Sequence, residues 1–153
     1  MHIMPRCHVP QSEISEELIA AYQSANYRVE DSCGTFILRI DRYSQPLARL
    51  FEASGHPCAA FVTGCNPWGI LQTVEANRAA TVRLASRLGQ LAPHAGLVFE
   101  GAGYDAQGKW LEEKSFLVLG LDLDPACALG REFRQNAIVW AGPDAVPGLV
   151  LLR

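Results

Sequence analysis

Between positions 115 and 119 the chain reads Ser-Phe-Leu-Val-Leu. Successive side chains of a strand point to opposite faces, so a run that is apolar at both odd and even positions has no face for solvent. Such a run predicts a central strand. Further strands are predicted at 35–40, 59–63, 97–100 and 137–140, with 148–152 as a sixth. Between them lie stretches with helical spacing. Ser12 offers a cap ahead of Ile14, Leu18, Ala21, Tyr22 and Ala25, with Glu13, Glu16 and Glu17 where the helix dipole favours acid. Ser44 precedes a short helix with Pro46 in its first turn and Gly55 at its end. Thr73 caps a third helix reaching about Leu88, closed by Gly89 and Pro93. A fourth is expected from about Asp124, with Pro125 at its first position, to about Arg134.

The order α-β-α-β-α-β-β-α-β predicts an α/β or α+β fold, a single domain with a mixed five- to six-stranded sheet and helices packed on it. Strands joined through helices are expected to run parallel by right-handed crossovers. The pair joined by the glycine-rich "GAGYDAQGKW" should be antiparallel. Residues 1–11, with two prolines and no periodicity, are expected to be a flexible arm, and 12–153 one globular domain.

Length and charge narrow the function classes. At 153 residues the chain can bury a core without staples. A net charge of −3 and no basic excess argue against nucleic-acid binding; Arg78, Arg83 and Arg87 read as a solvated helix face. Five cysteines, odd in number, irregularly spaced and without a C-x-x-C pair, suit neither a disulfide framework nor a zinc ribbon. They predict free thiols in the reducing cytoplasm. The N-terminus lacks a continuous apolar core and carries Pro5 and Pro10, so no secretory signal is expected. No apolar run approaches the roughly 18 residues that span a bilayer, so no membrane partner is expected.

The candidate site starts at "FVTGCNP", residues 61–67. In open α/β sheets ligands bind outside the carboxyl ends of strands, and "CNPWGILQT" is the loop leaving such an end. Asn66 brings both a donor and an acceptor. Asn77 falls on the expected core stripe of the third helix, with Val74, Thr81, Leu84 and Leu88, and a core-facing amide needs partners. It either ties down the loop near Asn66 or contacts a ligand. Cys65 near a helix N-terminus could be a nucleophile with His56 or His94 as base, or merely a buried thiol. "HPC" at 56–58 with Cys65 could be pressed into a metal site, but the spacing matches no usual pattern, and no metal is expected. Gly101, Gly103 and Gly108 precede a strand rather than a helix, so they read as a hairpin turn rather than a phosphate cradle. In "WLEEKSFLV", Glu113, Ser115 and Leu117 share a strand face. Glu113 there either pairs with an arginine or marks a site. Gln135 and Asn136 stand at the joint into the fifth strand; the asparagine suits a left-handed helix stop, whereas Gln135 has no such backbone reason.

Three stretches, "FVTGCNP" with "TVEANR", "GKWLEEKSFLVLGLD" and "EFRQNAIVWAGPDAVPGLVLL", together resemble a bacterial family catalogued as a domain of unknown function. Its pattern reads FITA-x-NP, S-x-x-EN, W-x-EESFLV and FGQNAIVW. The resemblance covers about residues 15–152 and implies a shared fold, with recurring polar positions at Asn66, Asn77, Glu113, Ser115, Gln135 and Asn136. Ala76 stands where the family's EN pair has glutamate, and Cys65 where an aromatic residue is common.

Three functions follow as expectations. The polar cluster lines a pocket for a small polar or phosphate-bearing ligand. It is structural glue in an interaction module with an exposed patch near Trp68, Trp110 or Trp140. Or Glu113 is the general acid or base of an enzyme. No cofactor, reaction or oligomeric state follows from these residues.

Overall fold

A computed structural model of the chain describes residues 12–92 and 94–153; the arm expected at 1–11 and Pro93, expected to close a helix, lie outside the described residues. The elements are α1 (Glu16–Ser24), β1 (Asn26–Asp31), β2 (Gly34–Leu38), α2 (Gln45–Ser54), β3 (Ala59–Thr63), α3 (Val74–Leu91), β4 (Val98–Tyr104), β5 (Glu113–Leu119), α4 (Leu123–Glu132), β6 (Ala137–Ala141) and β7 (Gly148–Leu151). The strands form one seven-stranded sheet in the order β2-β1-β4-β5-β3-β6-β7. The apolar run 115–119 lies in β5, at the centre.

Every pairing is antiparallel, which corrects the expected mixed sheet of five to six strands. Strands joined through helices do run parallel, but they are not neighbours in the sheet. Because β3 and β4 both run antiparallel to β5, they are parallel to each other with β5 inserted between them. In the same way β5 and β6, joined by α4, flank β3. The α3 and α4 crossovers each skip one strand, and the α2 crossover from β2 to β3 skips three, so intervening strands take the hydrogen bonds. The missing strand, β1, is Asn-Tyr-Arg-Val-Glu-Asp, in which Tyr27 and Val29 are buried while Asn26, Arg28 and Glu30 are not. Its charges hid a plain period-2 alternation.

Most of the glycine-rich stretch is strand, not turn. Gly101 pairs with Ser115 on one side and Val29 on the other. A Cβ there would run into the Arg28 carbonyl oxygen, so only glycine lets β1 close on β4. The turn itself spans 105–112, where the Asp105 carboxylate accepts the Gln107 and Lys109 amides at 3.2 and 2.7 Å.

Two cores cover the sheet. Tyr27, Val29, Phe61, Leu117 and Val139 pack with Leu47 and Phe51 of α2 on one face. Ala60, Val62, Phe116, Val118 and Ile138 pack with Leu84 and Leu88 of α3 and with Ala126 and Leu129 of α4 on the other. Burying one such leucine contributes about 1.5–3 kcal/mol. Val74, expected in the α3 core stripe, is exposed; Ala80 takes the core position instead. Ser44 and Thr73 cap α2 and α3, accepting from Leu47 N and Ala76 N at 3.2 and 3.0 Å. Helix α1 starts after Ser15, not Ser12: Ser15 Oγ accepts the Leu18 N–H, whereas Ser12 Oγ donates to the Arg153 carbonyl. Gly89 lies inside α3, which continues to Leu91, and Pro125 falls within the first turn of α4 rather than at its first position. No helix among the described residues is long and apolar enough to cross a membrane.

Candidate functional site

Strand β3 ends where its backbone must turn into α3, and side chains hold that turn. Thr63 Oγ1 donates to the Lys114 carbonyl at 2.7 Å and accepts the Cys65 N–H at 3.1 Å. Asn66 adopts left-handed backbone at φ 48°, a conformation asparagine enters more readily than most residues. Both heavy atoms of its side-chain amide make hydrogen bonds. Asn66 Oδ1 accepts Asn77 Nδ2 at 3.0 Å and the Gln72 N–H at 2.9 Å, while the Asn66 N–H donates to Asn77 Oδ1 at 2.9 Å. Asn66 Nδ2 donates to Glu113 Oε2 at 2.7 Å. Asn77 therefore spends its side chain on the loop.

From the other side, the α4–β6 joint grips the same loop. Gln135 is buried, and its Nε2 donates to the Cys65 and Phe133 carbonyls at 3.0 and 3.2 Å. The Trp68 N–H donates to the Arg134 carbonyl at 2.7 Å. The left-handed residue of this joint is Arg134, at φ 56°, not the expected Asn136. Asn136 is buried one residue later than Gln135. Its Nδ2 donates to the Tyr22 hydroxyl at 3.1 Å, and its Oδ1 accepts Arg153 Nη1 at 3.0 Å.

These contacts frame a cavity of about 60 Å³ lined by Tyr22, Tyr27, Phe61, Trp110, Asn66, Glu113, Ser115 and Gln135, among others. An outer cleft of about 380 Å³ shares Tyr22, Asn66, Gly69, Trp110 and Glu113 with it and adds Leu18, Leu71, Lys109 and Leu111. Asn66 and Glu113 thus stand at the junction of an inner chamber and its mouth. Four of the six residues singled out from the sequence line the inner cavity. Asn77 lies one hydrogen bond behind Asn66, and Asn136 holds Tyr22 from behind.

Glu113 is half-buried, and its sheet face is the one that alternation predicts, shared with Ser115 and Leu117. The expected arginine partner belongs to its neighbour instead. Arg28 holds Glu112 through two N–H bonds of 2.9 and 3.0 Å, which lowers the Glu112 pKa. Lys114 pairs with Glu100. Among the described residues no cation pairs with Glu113. Burial raises its pKa, opposed only by the Asn66 hydrogen bond. Glu113 Oε1 and Gln135 Oε1 have no hydrogen-bond partner among the described residues.

Other expectations fare differently. Cys65 Sγ faces the Lys114 carbonyl at 3.7 Å and Thr81 Oγ1 at 3.9 Å; no histidine among the described residues hydrogen-bonds it. Cys58 and Cys65 flank opposite ends of β3, and Cys58 Sγ sits by Leu121 O and Asp122 instead, so "HPC" and Cys65 do not converge on a metal. Arg78 and Arg83 are exposed, and Arg87 pairs with Glu132, as a solvated face would have it. Trp110 and Trp140 are half-buried rather than patch residues; Trp140 Nε1 donates to Leu121 O. Exposed apolar residues include Ile70, Leu71, Val74 and Leu111, with Ile37, Tyr43 and Val82 among others elsewhere in the chain; the Trp68 ring lies under the Arg153 guanidinium.

Sequence reasoning missed Tyr22, Tyr27, Phe61 and Trp110 as lining residues. Tyr22 sat on a helical apolar stripe and read as core, while Tyr27 belonged to the unassigned strand. The available signal was the strand face: Phe61 and Thr63 alternate onto the side that Glu113 and Ser115 share.

The family described as Protein of unknown function (DUF3293) matches residues 62–138, a span holding all six of the polar residues singled out from the sequence. No curated protein and no solved structure matches the chain.

Proposed function

We propose that this chain, which belongs to the DUF3293 family of proteins of unknown function, binds a small polar ligand in the cleft closed by Asn66, Glu113, Ser115 and Gln135. One observation carries the reading. A desolvated carboxyl group with no cationic partner among the described residues stands at the floor of an open cleft. Burying a carboxylate without a cation is unfavourable, and structural glue needs no acid there, since Asn66 is already held by Asn77 and Gln72. Free thiols at Cys33, Cys58, Cys65 and Cys127 support a cytoplasmic setting for this activity.

Thermal unfolding against a panel of amines, amides, sugars, nucleotides and sugar phosphates tests it. A ligand that binds the folded state raises the midpoint as its concentration passes Kd. The expected result is a shift with one chemical class that disappears in Glu113→Gln. A panel without any shift would sink the proposal and favour an interaction module presenting Leu71, Val74 and Leu111.

A second reading makes Glu113 a general acid or base, favoured by the burial that holds its carboxyl above the ordinary carboxylate value. In that case the ligand found by the panel is turned over. Mass spectrometry would then show conversion by the wild type and none by Glu113→Gln at saturating ligand.

A further inference from the structure

We infer that the ligand carries a cationic nitrogen, an ammonium or guanidinium head on an apolar body, received by the Glu113 carboxylate and the Gln135 side-chain carbonyl. This inference rests on the ligand-binding reading above and adds the class of ligand. The hydrogen-bond balance of the inner cavity leads to it. Asn66 Oδ1 already accepts two hydrogen bonds, and the Gln135 amide nitrogen donates two. Acceptor capacity stays open at Glu113 Oε1 and Gln135 Oε1, while the donors left in the lining, one Asn66 N–H, the Tyr22 hydroxyl and the Trp110 indole, are all neutral. The one charge in that lining is the Glu113 carboxyl, and a charged donor bonds a carboxylate more strongly than a neutral one.

The surroundings agree. Tyr22, Tyr27, Phe61 and Trp110 line the chamber, and aromatic faces attract cations. The nearby basic side chains do not compensate Glu113: Arg28 is held by Glu112, Lys114 by Glu100, and Arg39 gives its Nη1 to Asn26 at 2.6 Å. Lys109 lines only the outer cleft. A phosphate head would meet the Glu113 carboxyl with no cation in the inner lining to receive it. The volumes divide the ligand. At about 60 Å³ the chamber suits a small head group. The outer cleft, about 380 Å³, falls within the usual range for ligand pockets, and Leu18, Leu71, Leu111 and Trp110 offer it apolar surface. Binding a cation would also draw Glu113 to its ionised form. Proton release then accompanies binding at any pH where free Glu113 is still protonated, with Tyr22 from α1, Tyr27 from β1 and Lys109 from the 105–112 turn as the other titratable neighbours.

Four probes with one body and different heads test this: hexylammonium, hexylguanidinium, hexanamide and hexanoate. Titration calorimetry in two buffers of unequal ionisation enthalpy reads both affinity and protons released. The two cations are expected to bind at least tenfold more tightly than hexanamide, with proton release growing as the pH is lowered toward the carboxylate range and hexanoate not binding. Glu113→Gln should weaken the cations at least tenfold. Leu111→Arg alters an exposed rim position, 75% accessible, and should weaken them several-fold without threatening the fold. Hexanamide binding as tightly as hexylammonium, or cation affinity unchanged in both variants, would overturn the inference and leave the ligand-binding reading standing. Absence of binding by all four heads also overturns it, and the ligand-binding reading falls with it only if the broad panel is blank as well.

Discussion

Asn66 shows how much one side chain decides. Its left-handed backbone starts the turn, its side-chain carbonyl holds Gln72 and Asn77, and its amino group makes the only hydrogen bond to the Glu113 carboxyl among the described residues. Glu113 in turn sets a pH dependence. Its folded pKa is raised above 4.5, so between that value and the folded pKa the folded state binds more protons than the unfolded one. Stability therefore falls as pH rises through that window, by at most about 1.4 kcal/mol per pH unit. Glu113→Gln keeps an oxygen to accept from Asn66 and loses the titration. Urea unfolding from pH 4 to 8 should show the variant gaining on the wild type as pH rises; parallel curves would show that Glu113 is not desolvated. The buried Tyr22 and Tyr27, whose pKa values are raised from 10.0, titrate outside that range. The polar residues were legible singly because each broke a local pattern. Their partners were not, since the Asn66–Glu113 bond spans 47 positions.

At the scale of elements, two glycines give opposite expectations. Gly89 lies on the exposed side of α3, with open space where a Cβ would go and no positive φ. Gly89→Ala should stabilise by about 0.5–1 kcal/mol, because alanine loses less entropy in a helix. Gly101→Ala puts its Cβ against the Arg28 backbone and must pry β1 from β4, destabilising by about 3 kcal/mol or more. Chemical denaturation of both variants checks the pair; two changes of the same sign would contradict the β1–β4 geometry. Strand β3 was legible to the residue because its apolar run meets Gly64 and Pro67. The end of α3 was not, since a helical glycine and a capping glycine look alike until φ is known. In β4, Gly101 and Gly103 looked like turn residues because a close backbone approach leaves no mark on the chain other than the glycine itself.

For the whole molecule, the sheet order predicts where unfolding begins. β5 has neighbours on both sides and cores on both faces, whereas β2 and β7 are edges. Amide exchange at Phe116, Leu117 and Val118 should need global opening, while β2 and β7 exchange by local fraying. Equal protection of β2 and β5 in native-state hydrogen exchange would contradict this order. The edges also carry ties between the two ends of the described chain: Ser12 donates to the Arg153 carbonyl, and Arg153 reaches Asn136 and covers Trp68. Those ties support Tyr22 and the loop after β3, so the site depends on contacts between residues more than 100 positions apart.

The sequence by itself determined the apolar β5, most of the helices and strands, and the set of polar residues out of place. Those follow from periodicity, capping and turn chemistry, which act over a few residues. Only the tertiary structure decided that no helix crossover joins neighbouring strands, that Arg28 takes Glu112 and leaves Glu113 without a cation among the described residues, and that two amides and a carboxyl close one cleft. Those facts depend on which distant strands meet, and the energy that chooses among pairings is the simultaneous burial of both sheet faces, a property of the whole chain and of no segment alone.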